Sequence, residues 1–193
     1  MVRPLKTINN QRRIKKMQKA KEYQTINYRS DGTIYSISEF NPSTGDLVKT
    51  TDYRSDGKTI KIINEYDPTT GEPVKTINYR SDGKTIDFIN EYDPSTGEPV
   101  KTINYRSDGT IYSISEFNPS TGDLVKTTDY RSDGQAIDYI EEFNPSTGDL
   151  VKVTDYRSDG TIYSIIEFDP STGDLVKATK CRSDGTIIDI FNF

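Results

Sequence analysis

The chain contains one cysteine, Cys181, and no histidine. A thiol acts as a nucleophile when a neighbouring base makes it a thiolate, so Cys181 without an imidazole reads as an apolar strand residue. Paired carboxylates do acid–base work when their environments push their pKa values apart. Here the acids recur in the same setting in unit after unit, and a catalytic site is not expected in seven copies. Asp169-Pro-Ser-Thr-Gly-Asp174 places oxygen ligands at alternate positions, as a calcium loop does. It lacks the bidentate glutamate and the full ligand count, and so reads as a turn. Arg-Ser-Asp-Gly offers amides and a guanidinium to an anion, with the adjacent aspartate expected to neutralise the arginine. No glycine-rich phosphate loop occurs. The expectation is a non-enzymatic chain with no catalytic residue, no metal site and no cofactor.

One set of residues remains that could hold a partner rather than transform it. Tyr28, Tyr53, Tyr79, Tyr105, Tyr130 and Tyr156 each stand immediately before Arg-Ser-Asp-Gly. Another equivalent position varies through Ser36, Ile62, Phe88, Ser113, Tyr139 and Ser164. A repetitive ligand favours sameness along its contact row, so the tyrosines are the candidate binding row. Cross-strand packing is the other role open to them.

The elements that position this row are repeated. Arg-Ser-Asp-Gly begins at Arg29, Arg54, Arg80, Arg106, Arg131, Arg157 and Arg182, and Pro-Ser/Thr-Thr-Gly begins at Pro42, Pro68, Pro94, Pro119, Pro145 and Pro170. A period of 25 or 26 residues signals a repeat array. Each unit holds two segments of about eight residues, rich in Val, Ile, Thr, Tyr and Phe and bounded by turn residues, which reads as two strands. Ser-Asp-Gly-Thr reads as a two-residue Asp-Gly hairpin with positive φ at both central positions. In the longer units Lys58, Lys84 and Gln135 lengthen that loop from two residues to three.

Pairing outward from the turn puts Arg106 against Ile111, Tyr105 against Tyr112, Ile103 against Ile114, Lys101 against Glu116 and Val100 against Phe117. The longer units give Lys75 against Glu91, and Lys49–Glu65, Lys126–Glu142 and Lys152–Glu167 follow. An odd-length proline loop would set Phe40 opposite Val48. Period two then gives one face Arg, Ile, Thr, Val and the late aromatic, and the other Tyr, the central Ile, Lys and Glu. Neither face is wholly apolar, which predicts an elongated single layer rather than a sheet packed on a core. The expected fold is all-β: a single-layer antiparallel β-hairpin meander of seven repeats over residues 23–193, behind a basic segment, 1–22, with a short helix, capped by Asn9 or Asn10, that covers the first edge.

Residues 1–22 carry eight cations against Glu22, a net +7, which leaves −12 for 23–193. An acidic array argues against a nucleic-acid groove along the repeats, because phosphate binding needs clustered cations. No stretch is long enough to span a membrane, and no signal-peptide core is present. As it stands the sequence reads as cytoplasmic. The last unit departs from the rest: Cys181 replaces the tyrosine, Asn192 replaces the glutamate, and Ile187, Ile188, Ile190, Phe191 and Phe193 make it the most apolar segment. An apolar edge strand is either covered or sticky, so self-association through the C-terminal strand is expected.

The stretch from Tyr79 to Thr102, YRSDGKTIDFINEYDPSTGEPVKT, resembles a tandem-repeat family of phytoplasmas, domain-of-unknown-function family 2963. The resemblance covers residues 24–193. It implies a bacterial pathogen of plants and insects and a secreted or surface-associated protein, and it implies no activity. More distantly, EYDPSTGEPV is similar to the YD repeat of Rhs-type proteins and the alternating hairpins to MORN repeats. Two functions follow as expectations: an extended surface that binds an unidentified protein, such as one of a host, or a structural spacer or self-assembling scaffold with no specific ligand.

Overall fold

A computed structural model describes residues 23–193, and the basic segment 1–22 with its expected helix lies outside the described residues. Fourteen strands follow one another: β1 (Gln24–Tyr28), β2 (Ile34–Phe40), β3 (Leu47–Tyr53), β4 (Ile60–Tyr66), β5 (Pro73–Tyr79), β6 (Ile86–Tyr92) and β7 (Pro99–Tyr105). They continue as β8 (Ile111–Phe117), β9 (Leu124–Tyr130), β10 (Ile137–Phe143), β11 (Leu150–Tyr156), β12 (Ile162–Phe168), β13 (Leu175–Cys181) and β14 (Ile187–Asn192). Each pairs antiparallel with its neighbours in sequence, and all fourteen form one open sheet in the order β1 to β14.

The turn chemistry explains the meander and corrects the expected loops. The Arg29 carbonyl accepts from the Gly32 amide at 3.0 Å, while the Arg29 amide donates to the Thr33 carbonyl at 2.8 Å. The loop is therefore three residues, Ser30-Asp31-Gly32, rather than a two-residue Asp-Gly turn. Among the described residues only glycines adopt positive φ, Gly32 at 83° among them. Asp31 keeps a negative φ, which costs less than positive φ for a residue with a Cβ. From there its carboxylate accepts from the Thr33 amide at 2.9 Å and the Thr33 hydroxyl at 2.7 Å. In the 26-residue units the Arg54 amide donates to the Thr59 carbonyl, so Lys58 lengthens the loop from three residues to four.

The proline loops are four residues, not an odd number. The Asn41 amide donates to the Asp46 carbonyl at 2.7 Å and the Gly45 amide to the Asn41 carbonyl at 2.8 Å. Parity is restored by a bulge: Glu39 pairs with Lys49 while Phe40 pairs with Leu47, leaving Val48 as the extra residue. The other turn has a bulge as well. Asn104 pairs with Ser113 and Tyr105 with Ile111, leaving Tyr112 over, so neither Tyr105–Tyr112 nor Arg106–Ile111 is a pair. Bulges add local twist and re-aim one side chain, and here they occur at both ends of the strands.

Between the bulges the expected register holds. Ile103 opposes Ile114 and Lys101 opposes Glu116; Lys75 opposes Glu91, Lys49 opposes Glu65, Lys126 opposes Glu142 and Lys152 opposes Glu167. At the position of the valine–aromatic pair, the Phe40 amide donates to the Tyr23 carbonyl and the Phe193 amide to the Val176 carbonyl.

A central row runs through all fourteen strands and contains only Ile and Thr. It passes, for example, from Ile63 through Ile77 and Ile89 to Ile103, and later from Ile140 through Thr154 to Ile165. These β-branched residues fit a pleated, half-buried surface. The opposite face is bound by polar side chains: Asn64 donates to Thr50 Oγ1 at 3.2 Å, and the Thr76 hydroxyl donates to Asn64 Oδ1 at 2.8 Å. Among described residues only Ile89 and Cys181 are buried hydrophobics, and no large side chain is fully buried. Among the described residues the sheet has no second layer, and cross-strand pairing rather than a hydrophobic core holds it together.

Candidate functional site

The tyrosine row lies at the strand ends that enter the Arg-Ser-Asp-Gly turns. Tyr28 is 62% exposed, whereas Tyr53, Tyr79, Tyr105, Tyr130 and Tyr156 are half-buried. Each opposes an isoleucine across the hairpin, Tyr28 against Ile34, Tyr53 against Ile60 and Tyr79 against Ile86, with the others alike. Burial, reinforced by the Glu91 carboxylate, raises the Tyr105 phenol above its ordinary value. The arrangement gives a repeated phenol ring partly engaged in packing and partly open to a partner.

Their carbonyls have a second role, which sequence reasoning missed. Arg29 Nη1 donates to the Ile34 carbonyl at 2.5 Å, and its Nη2 donates to the Tyr53 carbonyl of the next unit at 2.6 Å. The pattern repeats up the sheet: Arg54 reaches Tyr79, Arg80 reaches Tyr105, Arg106 reaches Tyr130, Arg131 reaches Tyr156 and Arg157 reaches Cys181. Each guanidinium clips one hairpin to the next at the edge where the turns lie. The planar fork of arginine suits two carbonyls at once. The neighbouring aspartate does not neutralise it: Asp31 is spent on Thr33 within the turn.

The bulge residue completes the clip, and its identity follows loop length. In three three-residue-loop units it is a tyrosine under the guanidinium: Arg29 stands 5.3 Å from the Tyr35 ring, Arg106 5.2 Å from Tyr112 and Arg157 5.2 Å from Tyr163. These rings are 44–52% exposed, more than most of the tyrosine row. In two four-residue-loop units it is an aspartate, with Arg80–Asp87 and Arg131–Asp138 both 2.8 Å. The third such unit has Lys61, which with Arg29, Tyr35, Asp52 and Arg54 lines a shallow hollow of about 350 Å³. The co-variation of loop length with the residue after Ile was visible in the sequence as IY against ID or IK. Without the bulge there was no reason to connect that residue to the arginine.

On the tyrosine face the charged row alternates without interruption. Each Lys from β3 to β11 lies between two Glu: Lys49 opposes both Glu39 and Glu65, and Lys101 both Glu91 and Glu116. The close contacts form across the proline turns, at 3.2 Å for Lys49–Glu39, 3.1 Å for Lys126–Glu116 and 2.8 Å for both Lys152–Glu142 and Lys177–Glu167. Half-exposed pairs of this kind are worth a fraction of a kcal/mol each, about 0.2–1.

Unusual proton affinities arise from hydrogen bonds in the turns and from burial along the sheet. The Thr59 hydroxyl, with the amides of Lys58 and Thr59, holds the Asp56 carboxyl down at about 2, and Asp82 is held at about 2 in the same way. Burial and the Asp129 charge push the Tyr139 phenol up to about 12, while burial raises Asp129 itself. The Asp169–Asp174 loop spends its oxygens internally, with Asp169 Oδ1 accepting from Ser171 at 2.7 Å and Thr172 at 3.1 Å. Among the described residues no cluster of three His, Cys, Asp or Glu could hold a metal, and no helix is long and apolar enough to cross a membrane.

No curated protein sequence matches the chain. Among solved structures, a TarM mutant from S. aureus in complex with Fondaparinux, alpha-GlcNAc-glycerol and UDP aligns at 12% identity and a TM-score of 0.41, over 67% of this chain and 23% of that one. A GtfA/B complex bound to UDP and GlcNAc aligns at 16% identity and 0.39, over 55% and 22%. A TcdB2-TccC3 structure without its hypervariable C-terminal region aligns at 12% identity and 0.29, over 85% and 12%. The chain thus spans less than a quarter of the length of these proteins. The sequence profile of one family matches the repeats themselves, in five tandem segments at residues 14–52, 28–78, 53–104, 105–155 and 156–193. By this match the chain belongs to the family described as protein of unknown function, DUF2963.

Proposed function

We propose that the chain is a non-enzymatic repeat protein that binds a protein partner along its extended sheet, as an effector or surface protein of a bacterial pathogen. The observation that supports this reading is the recurrence of one set of side chains on a sheet whose two faces are uncovered among the described residues. Tyr53, Tyr79, Tyr105, Tyr130 and Tyr156 return every second strand, a spacing of about 9.6 Å. A partner with its own repetition would engage several units at once and gain by effective concentration what each contact lacks. The acidic array disfavours nucleic acid as that partner.

The test is capture from host lysate by the intact chain and by a variant with the tyrosine row changed to serine. The expected result is a defined protein held by the intact chain and reduced at least tenfold by the variant, whose circular dichroism stays that of a sheet. Equal capture by both would remove the row from the site.

A second reading, a spacer or self-assembling scaffold, is favoured by β14. Ile187, Ile190 and Phe191 are 50–54% exposed on a strand with a neighbour on one side only, among the described residues. Light scattering is expected to show association that rises with concentration and falls sharply in Phe191→Lys. A wild-type chain that scatters as a monomer throughout would end this reading.

A further inference from the structure

We infer that β14 of one molecule pairs with β1 of a second copy, antiparallel and in the register of the proline-turn hairpins, so that the sheet continues head to tail. This rests on the self-assembly reading and names the strand that β14 meets. The evidence lies in how the two end strands depart from the twelve between them.

Every strand from β2 to β13 places a lysine or glutamate in the charged row; β1 places Gln24 there and β14 places Asn192. Natural sheets guard their edges with lysine or other charge, because an unpaired strand is a template for another chain. This sheet does the reverse. β1 reads Gln-Thr-Ile-Asn-Tyr with no charge, and β14 reads Ile-Ile-Asp-Ile-Phe-Asn with Asp189 alone. Among the described residues, the charges are present on strands paired on both sides and are dropped on the two strands paired on one side only.

The two edges also fit. Inside the sheet, a proline-turn pair such as β2–β3 sets Glu39 against Lys49, Ser38 against Thr50, Ile37 against Thr51 and Ser36 against Asp52. Carried over to β14 and β1, that register sets Asn192 against Gln24, Phe191 against Thr25, Ile190 against Ile26 and Asp189 against Asn27. Two amides then meet in the charged row and can bond to each other. Ile190 at 50% and Ile26 at 41% exposure join the central row as Ile63 and Ile77 do within one molecule. No like charges oppose. Pairing β14 with another β14 about Ile190 fits worse, since it sets Asp189 against Phe191 twice. A β14–β1 contact joins two different surfaces and leaves a free β1 and a free β14 on the dimer, so it adds molecules one after another.

Two full-length variants test this, Ile26→Lys to block β1 and Ile190→Lys to block β14, followed by sedimentation velocity. The wild-type chain is expected to grow past dimer as concentration rises. Each variant alone is expected to stay monomeric over the same range. Their equimolar mixture is expected to form a dimer and stop, because the first keeps an intact β14 and the second an intact β1. If wild type associates but the mixture stays monomeric, or Ile26→Lys still dimerises alone, the inference fails while the self-assembly reading stands. If wild type never associates, both fail. Should either variant lose its sheet signal, Thr25→Lys and Phe191→Lys place the block on the opposite face of the same strands and carry the same expectations.

Discussion

Replacing Gly83 by alanine is expected to destabilise the sheet by about 3 kcal/mol, and replacing Gly109 by only about 1 kcal/mol. Both glycines end an Arg-Ser-Asp-Gly turn at positive φ, 66° and 86°, so both substitutions carry the strain of a side chain in the left-handed region. They differ in space. A Cβ on Gly109 would meet nothing within 4 Å. A Cβ on Gly83 would lie 2.5 Å from Thr59 Cγ2, 3.0 Å from the Ile60 amide nitrogen and 3.2 Å from its carbonyl oxygen. The difference follows from loop length. Four-residue loops set their glycine against the turn of the preceding unit, Gly57 against Thr33 and Ile34 and Gly134 against Thr110 and Ile111. Three-residue loops do not. Overpacking against backbone cannot be relieved by a rotamer change, which adds about 1–3 kcal/mol to the φ cost. Denaturant melts of the two variants measure the difference, and hydrogen exchange around Arg80 and Thr59 locates it. Equal costs at the two positions would mean that the turns do not rest on one another.

The contrast between those two glycines marks where the sequence stopped being legible. Strand identity, neighbour order and the Lys101–Glu116 register were readable because they rest on local signals: β-branched runs, turn residues and a period of two that a one-residue slip would invert. The turns were not read correctly, because Asp-Gly is shared by two-residue and longer hairpins. What decided between them was Asp31 reaching the Thr33 amide and hydroxyl, a contact that adjacency alone does not announce. The bulges were missed for a related reason. A loop one residue longer than expected and one bulged residue together take the place of one strand pair, so Ile103 and Ile114 stay opposed either way. The error surfaced only at Tyr105 and Tyr112, where the side chains divide between packing against Ile111 and lying beneath Arg106. The candidate tyrosine row could therefore be named in advance but its burial could not. The exposed aromatics Tyr35, Tyr112 and Tyr163 are a product of the bulge.

Arg106→Ala is expected to cost about 2 kcal/mol, and Arg182→Ala less than about 0.5 kcal/mol. Arg106 donates to the carbonyls of Ile111 and Tyr130 and lies over Tyr112. Charge-assisted bonds to carbonyls are worth about 1.5–3 kcal/mol in sheltered settings, and the half-buried position of Arg106 puts it toward the lower end. Arg182 has the same turn but, among the described residues, clips no second hairpin; it donates to the Thr186 hydroxyl at 3.4 Å. The comparison separates the clip between hairpins from anything arginine does for its own turn. Arg106→Lys sharpens it, since an ammonium keeps the charge but cannot span two carbonyls; it is expected to recover less than half the loss. Because repeat arrays gain stability from each interface between neighbours, the loss should be local. Hydrogen exchange should speed most at the β8–β9 boundary and leave β2–β3 near its wild-type rate. If instead Arg182→Ala were as costly as Arg106→Ala, the arginines would be turn residues only. The joining of unit to unit would then rest on strand pairing and the central Ile and Thr row alone.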